Sequence, residues 1–196
     1  MWRLARRLPS PGVMRRLGYL PGALTILLTL SAGARDFYVR AGTGGANNGT
    51  DWNNAWHECS SVVWGGTSGV NAGDTLWFAG GTYTTTLTPG VSGTASAWIS
   101  IKRVRSTDAA PTSAPGWNSS FDSQVIINSP NDALDFNILG LSYIIVDGRV
   151  DFGMTLVTPN SAGNSISFNH GVSFITFTNL DLAGPGGTQP VTMNGS

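Results

Sequence analysis

From residue 74 onward, apolar side chains come in pairs two positions apart. The pairs are Leu76/Phe78, Ile99/Ile101, Val125/Ile127, Leu134/Phe136, Ile144/Val146, Ile166/Phe168 and Ile175/Phe177. A period of two puts both members on one side of an extended chain, so each pair predicts a short strand with one buried face. The spacing of the pairs is also regular. Val125/Ile127, Leu134/Phe136 and Ile144/Val146 are followed by Thr155/Val157, Ile166/Phe168 and Ile175/Phe177, at offsets of 30, 32 and 31. Counting back, Ile99 and Leu76 open earlier turns. Three short strands per repeat of this length is a solenoid pattern, in which one coil buries its inward side chains only by stacking on the next. Residues 74–182 are thus expected to form stacked parallel strands. Ile99, Val125 and Thr155 should share one column, and Leu134 should lie beside Ile166 in another. A β-sandwich also uses short strands, but it imposes no spacing in threes.

Upstream the period changes. Trp52, Ala55, Trp56, Cys59, Val62 and Val63 fall at i, i+3, i+4, i+7, i+10 and i+11 behind Asp51, which can cap a first turn. This predicts a helix covering the N-terminal end of the stack. Earlier still, an arginine-rich start, an apolar run and Ala32-Gly33-Ala34 read as a signal peptide cleaved before Arg35. Its core, Ala23–Leu30, is far short of the roughly 20 apolar residues that span a bilayer. The expected organisation is a signal peptide at 1–34, then an N-terminal strand, loop and capping helix at 35–73, then coils at 74–196. The product would be secreted, extracellular or periplasmic, and free of the membrane after cleavage. No amphipathic segment after Leu182 is suited to cover a last coil, so the chain reads as the N-terminal portion of a longer solenoid, truncated at its C-terminus.

Charge changes the functional picture. The formal net charge is zero, but five of the 11 basic residues lie in the first 16 positions. From Arg35 on there are six basic and eleven acidic residues, a net of −5. A nucleic-acid partner is excluded by the lack of any broad positive field. A single Cys excludes a disulfide framework and a Cys-based zinc site.

Three segments carry a resemblance. Phe37-Tyr38-Val39, followed by Gly-rich sequence with Asn48-Gly49-Thr50-Asp51-Trp52, is one. Asn71-Ala72-Gly73-Asp74-Thr75-Leu76-Trp77-Phe78-Ala79-Gly80-Gly81-Thr82-Tyr83 is the second, and the paired segments Ile144–Gly148 and Ile175–Asn179 are the third. Together they resemble the secreted parallel β-helices of the pectin-lyase-like superfamily. The resemblance implies an all-β, right-handed parallel β-helix (a solenoid) with an N-terminal capping helix, and a polysaccharide partner. It does not fix an activity, because the superfamily holds lyases, glycoside hydrolases, epimerases, esterases and non-catalytic adhesins. The expected function is the N-terminal part of a polysaccharide-active lyase or hydrolase, with a non-catalytic adhesin or binding protein as the alternative. Ca²⁺ is the cofactor the resemblance implies.

The residues offer one catalytic constellation. Asp147, Arg149 and Asp151 alternate, so on a continuous strand they would share a face. Two carboxylates there could hold Ca²⁺, and Arg149 could meet the charge that develops when a uronate loses a proton. That arginine acts as the base is implied only by the resemblance. Gly148 and Asn179 are expected at equivalent bends. Lys102, Arg103 and Arg105 form a basic patch suited to an anionic sugar, and Trp77, Trp98 and Trp117 are aromatic residues that can stack on sugar rings. Trp77 should face outward, lying between inward Leu76 and Phe78. His57-Glu58-Cys59 lacks the spacing of a metalloprotease helix, and Cys59 is expected to be buried.

Overall fold

The computed structural model describes residues 33–42, 44–159, 163–168, 171–184 and 191–193. The expected signal segment as far as Ala32, and His170, lie outside the described residues. The described residues are all-β with almost no helix. The strands are β1 (Asp36–Val39), β2 (Thr75–Phe78), β3 (Gly81–Tyr83), β4 (Ile99–Arg103), β5 (Val125–Asn128), β6 (Leu134–Phe136), β7 (Ser142–Asp147), β8 (Met154–Val157), β9 (Ile166–Phe168), β10 (Ser173–Thr178), β11 (Leu180–Ala183) and β12 (Val191–Met193). Every pairing between them is parallel.

Three sheets result, ordered β1-β2-β4-β7-β10, β11-β8-β5-β3 and β12-β9-β6. Successive strands step from sheet to sheet: β7, β8 and β9 visit each sheet once, and β10, β11 and β12 visit them again in the same order. Each strand lies on the one a turn earlier, an arrangement compatible with a parallel β-helix. The isolated bridge between Leu87 and Leu134 holds the third-sheet position in the turn that starts at β2. The inward pairs do what their period demands. Leu76, Phe78, Ile99, Ile101, Val125, Ile127, Leu134, Phe136, Ile144 and Val146 are buried in one core, with Phe136 and Phe168 stacked at 5.3 Å.

The register repeats as expected in two places. Ile144 lies beside Ile175, and Leu134 beside Ile166. Two expectations need correction. Val125 pairs with Met154 and not Thr155, which sits beside Ile126. Ile99 does not share the Val125 column, because β4 belongs to the first sheet, beside Ile144, while β5 belongs to the second. Counting back by coil length failed there because a long excursion, residues 104–124, separates β4 from β5.

The predicted N-terminal capping helix is absent. Residues 52–63 form bends, a bridge and a single 3₁₀ turn at Cys59–Ser61, and the one α-helix described, α1, spans only Ala109–Thr112. The reason lies in where the apolar residues go. Trp56 pairs with Val39 as an extra strand position: its N–H donates to Tyr38 and its carbonyl accepts from Arg40, at 2.9 and 2.8 Å. Trp52 and Ala55 turn the other way, into a second cluster outside the first sheet with Tyr38, Trp77, Ala79 and Val104. One helical face cannot serve two clusters on opposite sides of a sheet. The segment still covers the edge of β1, and the Trp56 ring stacks on Phe37 at 5.3 Å.

The connections from the first sheet to the second differ in length and shape the surface. Between β2 and β3 there are two residues, between β10 and β11 only Asn179, between β7 and β8 residues 148–153, and between β4 and β5 residues 104–124. The bend expected at Asn179 is there, at φ 56°. At the corresponding corner of the preceding coil positive φ falls on Arg149, at 72°, and on Phe152, at 56°, not on Gly148. Gly148 is needed for another reason: a Cβ there would lie 2.1 Å from the Asn179 carbonyl oxygen of the next coil.

Candidate functional site

The outer face of the first sheet is divided into two parts. Over β1 and β2 it is roofed. Trp52, Trp117 and Phe121 pack edge-on or tilted above Tyr38 and Trp77, drawn from the loops before β2 and between β4 and β5. Trp77 does face outward, yet it is buried, and its Nε1 donates to Asp36 at 2.6 Å. Trp77 is therefore closed to a sugar, and Trp117 is half-buried in the roof.

Over β4, β7 and β10 the outer face is open. One cross-strand row reads Lys102, Asp147, Thr178, and the next reads Ser100, Ile145, Thr176. Their side chains are half-buried on β4 and β7 and exposed on β10. Lys102 and Asp147 are direct neighbours in the ladder, so opposite charges face each other across it. The Lys102 ammonium lies 5.8 Å from the Trp77 ring centroid, at the edge of the roof, and makes no ion pair among the described residues.

Asp147, Arg149 and Asp151 do not alternate on one strand, which corrects the sequence reading. Strand β7 ends at Asp147, and Arg149 and Asp151 lie in the 148–153 excursion. Comparison of coils shows its size: Asp147 pairs with Thr178 but Met154 pairs with Leu180, so this coil carries five more residues at the corner than the next. Asp147 and Arg149 remain close. The Arg149 N–H donates to Asp147 Oδ1 at 2.7 Å, and its Nη1 lies 3.9 Å from Oδ2. Asp151 is exposed nearer the tip of the excursion.

A residue outside the sequence candidates completes the cluster. Arg149 Nη2 pairs with Asp108 Oδ1, and Asp108 Oδ2 accepts from the Arg105 N–H at 2.9 Å. Arg149 thus pins the 104–124 loop to the corner of the sheet. Asp108 was invisible as a site residue because its partner is 41 positions away. The basic patch is also split. Arg103 points inward and is buried, with Nε donating to Ser123 O at 2.7 Å and Nη2 to Asp122 at 2.8 Å. Of Lys102, Arg103 and Arg105, only Lys102 stands on the open face.

The carboxylates have distinct electrostatics. Burial raises Asp147, but the Asn179 amide, the Arg149 N–H, the Thr178 hydroxyl and the Arg149 charge together outweigh it and hold it below the usual aspartate value. Asp122 is held low chiefly by the Ser106 N–H. Asp135, on the outer face of the third sheet, is raised by burial. Ca²⁺, the ion the resemblance implies, does not fit this corner. Asp147 is already bonded by Asn179 and Arg149, the Arg149 guanidinium fills the space between Asp147 and Asp108, and the described residues hold no grouping of three acidic, His or Cys side chains.

His57, Glu58 and Cys59 go three ways. The His57 ring bonds Gly44 O at 2.5 Å, Glu58 accepts from Thr84 and Thr85, and Cys59 is buried with its thiol pushed well up, first by burial.

At the other end of the open face stand three aromatic rings. Trp98, Tyr143 and Phe174 immediately precede Ile99, Ile144 and Ile175, which are register partners. Tyr143 and Phe174 stack at 4.7 Å and 2°, and Trp98 meets Tyr143 at 5.4 Å and 80°. Only Trp98 stood out in the sequence. The signal for the other two was the match of Ser142-Tyr143-Ile144 with Ser173-Phe174-Ile175.

No family model matches the chain, and neither a curated protein nor a solved structure matches it.

Proposed function

We propose that this chain is part of an exported, right-handed parallel β-helix of the pectin-lyase-like type, and that the open face of β4, β7 and β10 binds a polysaccharide. The observation that carries the reading is that face itself. Three in-register parallel strands, about 4.8 Å apart, present hydroxyls, one cation, one carboxylate and an aromatic file in cross-strand rows. A long polymer needs such a repeating, open surface, and the roof over β1 and β2 together with the 104–124 loop supplies a wall along one side.

Binding is the role the charges support best. Arg149 gives both terminal nitrogens to carboxylates of its own chain, and Asp147 is stabilised as a carboxylate that already accepts two internal hydrogen bonds. A base and an electrophile for β-elimination need groups directed at the substrate. In the alternative, catalytic reading, Arg149 with Asp147 and Asp151 performs that elimination after the Asp108 pair opens. The two readings separate in one assay. Purified chain is incubated with pectate, alginate and neutral glycans, with and without Ca²⁺, while binding, unsaturated product and reducing ends are followed. Retention of a polysaccharide with no product is the expected result. Robust turnover abolished by Arg149→Ala would establish the catalytic reading, and absence of any glycan binding would refute both.

A further inference from the structure

We infer that hydrolysis of the peptide bond between Ala34 and Arg35 stabilises the fold: it turns the Arg35 nitrogen into an ammonium that pairs with the buried carboxylate of Asp74 and fastens β1 to β2. The inference takes its cleavage position from the export reading above and adds what the cut does to the folded chain. It does not involve the polysaccharide face.

The first observation is a buried carboxylate aimed at a backbone nitrogen. Asp74 is 2% exposed and stands immediately before β2. Its Oδ2 accepts from Arg35 Nη2 at 2.9 Å and from the Asn71 N–H at 2.8 Å. Its Oδ1 accepts from the Arg35 backbone N–H at 2.8 Å. In the uncut chain that last donor is neutral. A hydrogen bond between ionised partners is roughly twice as strong.

The second observation is that both ends of this contact are held by other bonds. The Arg35 carbonyl accepts from the Thr75 N–H at 2.8 Å, which extends the β1–β2 ladder by one residue. The Arg35 guanidinium donates to Thr67 O at 2.8 Å and Gly69 O at 2.6 Å, and it lies 4.8 Å from the Phe37 ring centroid. Asp74 is fixed in turn by its carbonyl, which accepts from the Ser100 N–H at 3.0 Å. None of these bonds involves a residue before Arg35, so the contact survives the cut. Gly33 and Ala34, by contrast, are exposed, and the space beside Gly33 is open. A peptidase that accepts small residues can reach the bond.

The chemistry follows from the atoms. Water breaks the C–N bond. Its oxygen completes a carboxylate on Ala34, and both its protons go to the Arg35 nitrogen. A neutral donor to Asp74 Oδ1 becomes a cation in the same place. The charged groups around it are Asp74, the Arg35 guanidinium and Asp36, whose Oδ1 accepts from Trp77 Nε1. Two acids therefore balance two cations at this end of β1. A carboxylate partner raises an α-amino group above its ordinary value of about 7.7–8.0. The stabilisation is then complete below that value and lost as pH rises through the raised one.

The test cuts the purified full chain in place. In one variant, residues 30–34 are replaced by the enterokinase sequence Asp-Asp-Asp-Asp-Lys, so the cut product starts at Arg35. In a second, residues 29–33 are replaced, so the product starts at Ala34 and carries its ammonium one residue outside the contact. Melting temperatures of the two products are compared from pH 6 to pH 10. The Arg35 product is expected to melt about 3 °C or more above the Ala34 product at pH 6. That gap should close toward pH 10, and it should be absent when both products also carry Asp74→Asn. Equal melting at pH 6 overturns the inference, as does a gap that ignores pH or persists in Asp74→Asn. Resistance of the folded chain to cleavage at both sites also overturns it. N-terminal sequencing of the exported chain separates the two readings. A start at Arg35 with coincident melts removes the inference and leaves export standing, while an exported chain that starts elsewhere removes the cleavage position and the inference with it.

Discussion

Single residues at the corner between the first and second sheets set how closely the coils approach. Gly148 is the tightest point. A methyl group there meets the peptide of Asn179 at 2.1 Å and Met154 N at 2.8 Å, atoms held in ladders on both sides. Gly148→Ala is expected to lower stability by about 1–3 kcal/mol, the usual range for forced overpacking, measured by denaturant titration. The role of Gly148 was half legible. Its place at a bend was readable from the match of the two coils, but not its cause, since a close approach between coils leaves no mark in local sequence. Two aspartates give opposite pH signatures. Asp147 has a folded value below the ordinary value of about 3.9, so its contribution is present above that value and lost as pH falls through the folded one. Asp147→Asn should therefore flatten the acid limb of the stability profile below pH 4. Asp135 is raised, so it favours folding only while protonated and loses that contribution as pH rises through its folded value. Asp135→Asn is expected to raise the melting temperature at pH 7, with the gain vanishing toward pH 4. Melts of both variants at pH 3, 4 and 7 check the signs.

At the scale of elements, strands were legible and connections were not. A period of two is imposed by the pleat itself, so the inward pairs from Leu76 to Phe177 located most strands and two of the inter-coil registers. Strand β12 was missed because Val191 and Met193 lie in a polar tail beyond the last clear pair. The predicted helix over Trp52–Val63 failed for a physical reason: helical spacing of apolar residues is equally served by a chain that winds through a sheet edge and feeds two clusters. The excursions were the larger loss. The residues of 148–153 looked like a continuation of β7, so Arg149 and Asp151 were placed on a face they do not occupy. Its partner, the 104–124 loop, is anchored by long-range pairs: Arg149 with Asp108 at one point, Arg103 with Asp122 at another. Arg149→Ala is expected to cost only about 1 kcal/mol overall, since the pair is partly exposed. Its local effect should be larger. Limited proteolysis should cut within 104–124 faster in the variant than in the native chain, while cleavage elsewhere stays unchanged.

For the molecule as a whole, parallel stacking explains why the functional surface is a strip and not a pocket. Each coil adds one strand to the first sheet and one position to every outward row. A row gains meaning only when three coils are in register, which is why no single motif announced it. The rows became visible once Lys102, Asp147 and Thr178 fell in line. The same geometry divides the surface into a roofed part that stabilises the early coils and an open part available to a ligand. The central claim is that this open part is where a polysaccharide lies. Hydrogen–deuterium exchange of the chain, with and without a glycan that it retains, tests that claim most directly. Added protection confined to residues 98–103, 142–149 and 173–179 is the predicted result. Protection that instead falls on the second or third sheet, or on the roof over β1 and β2, would contradict it.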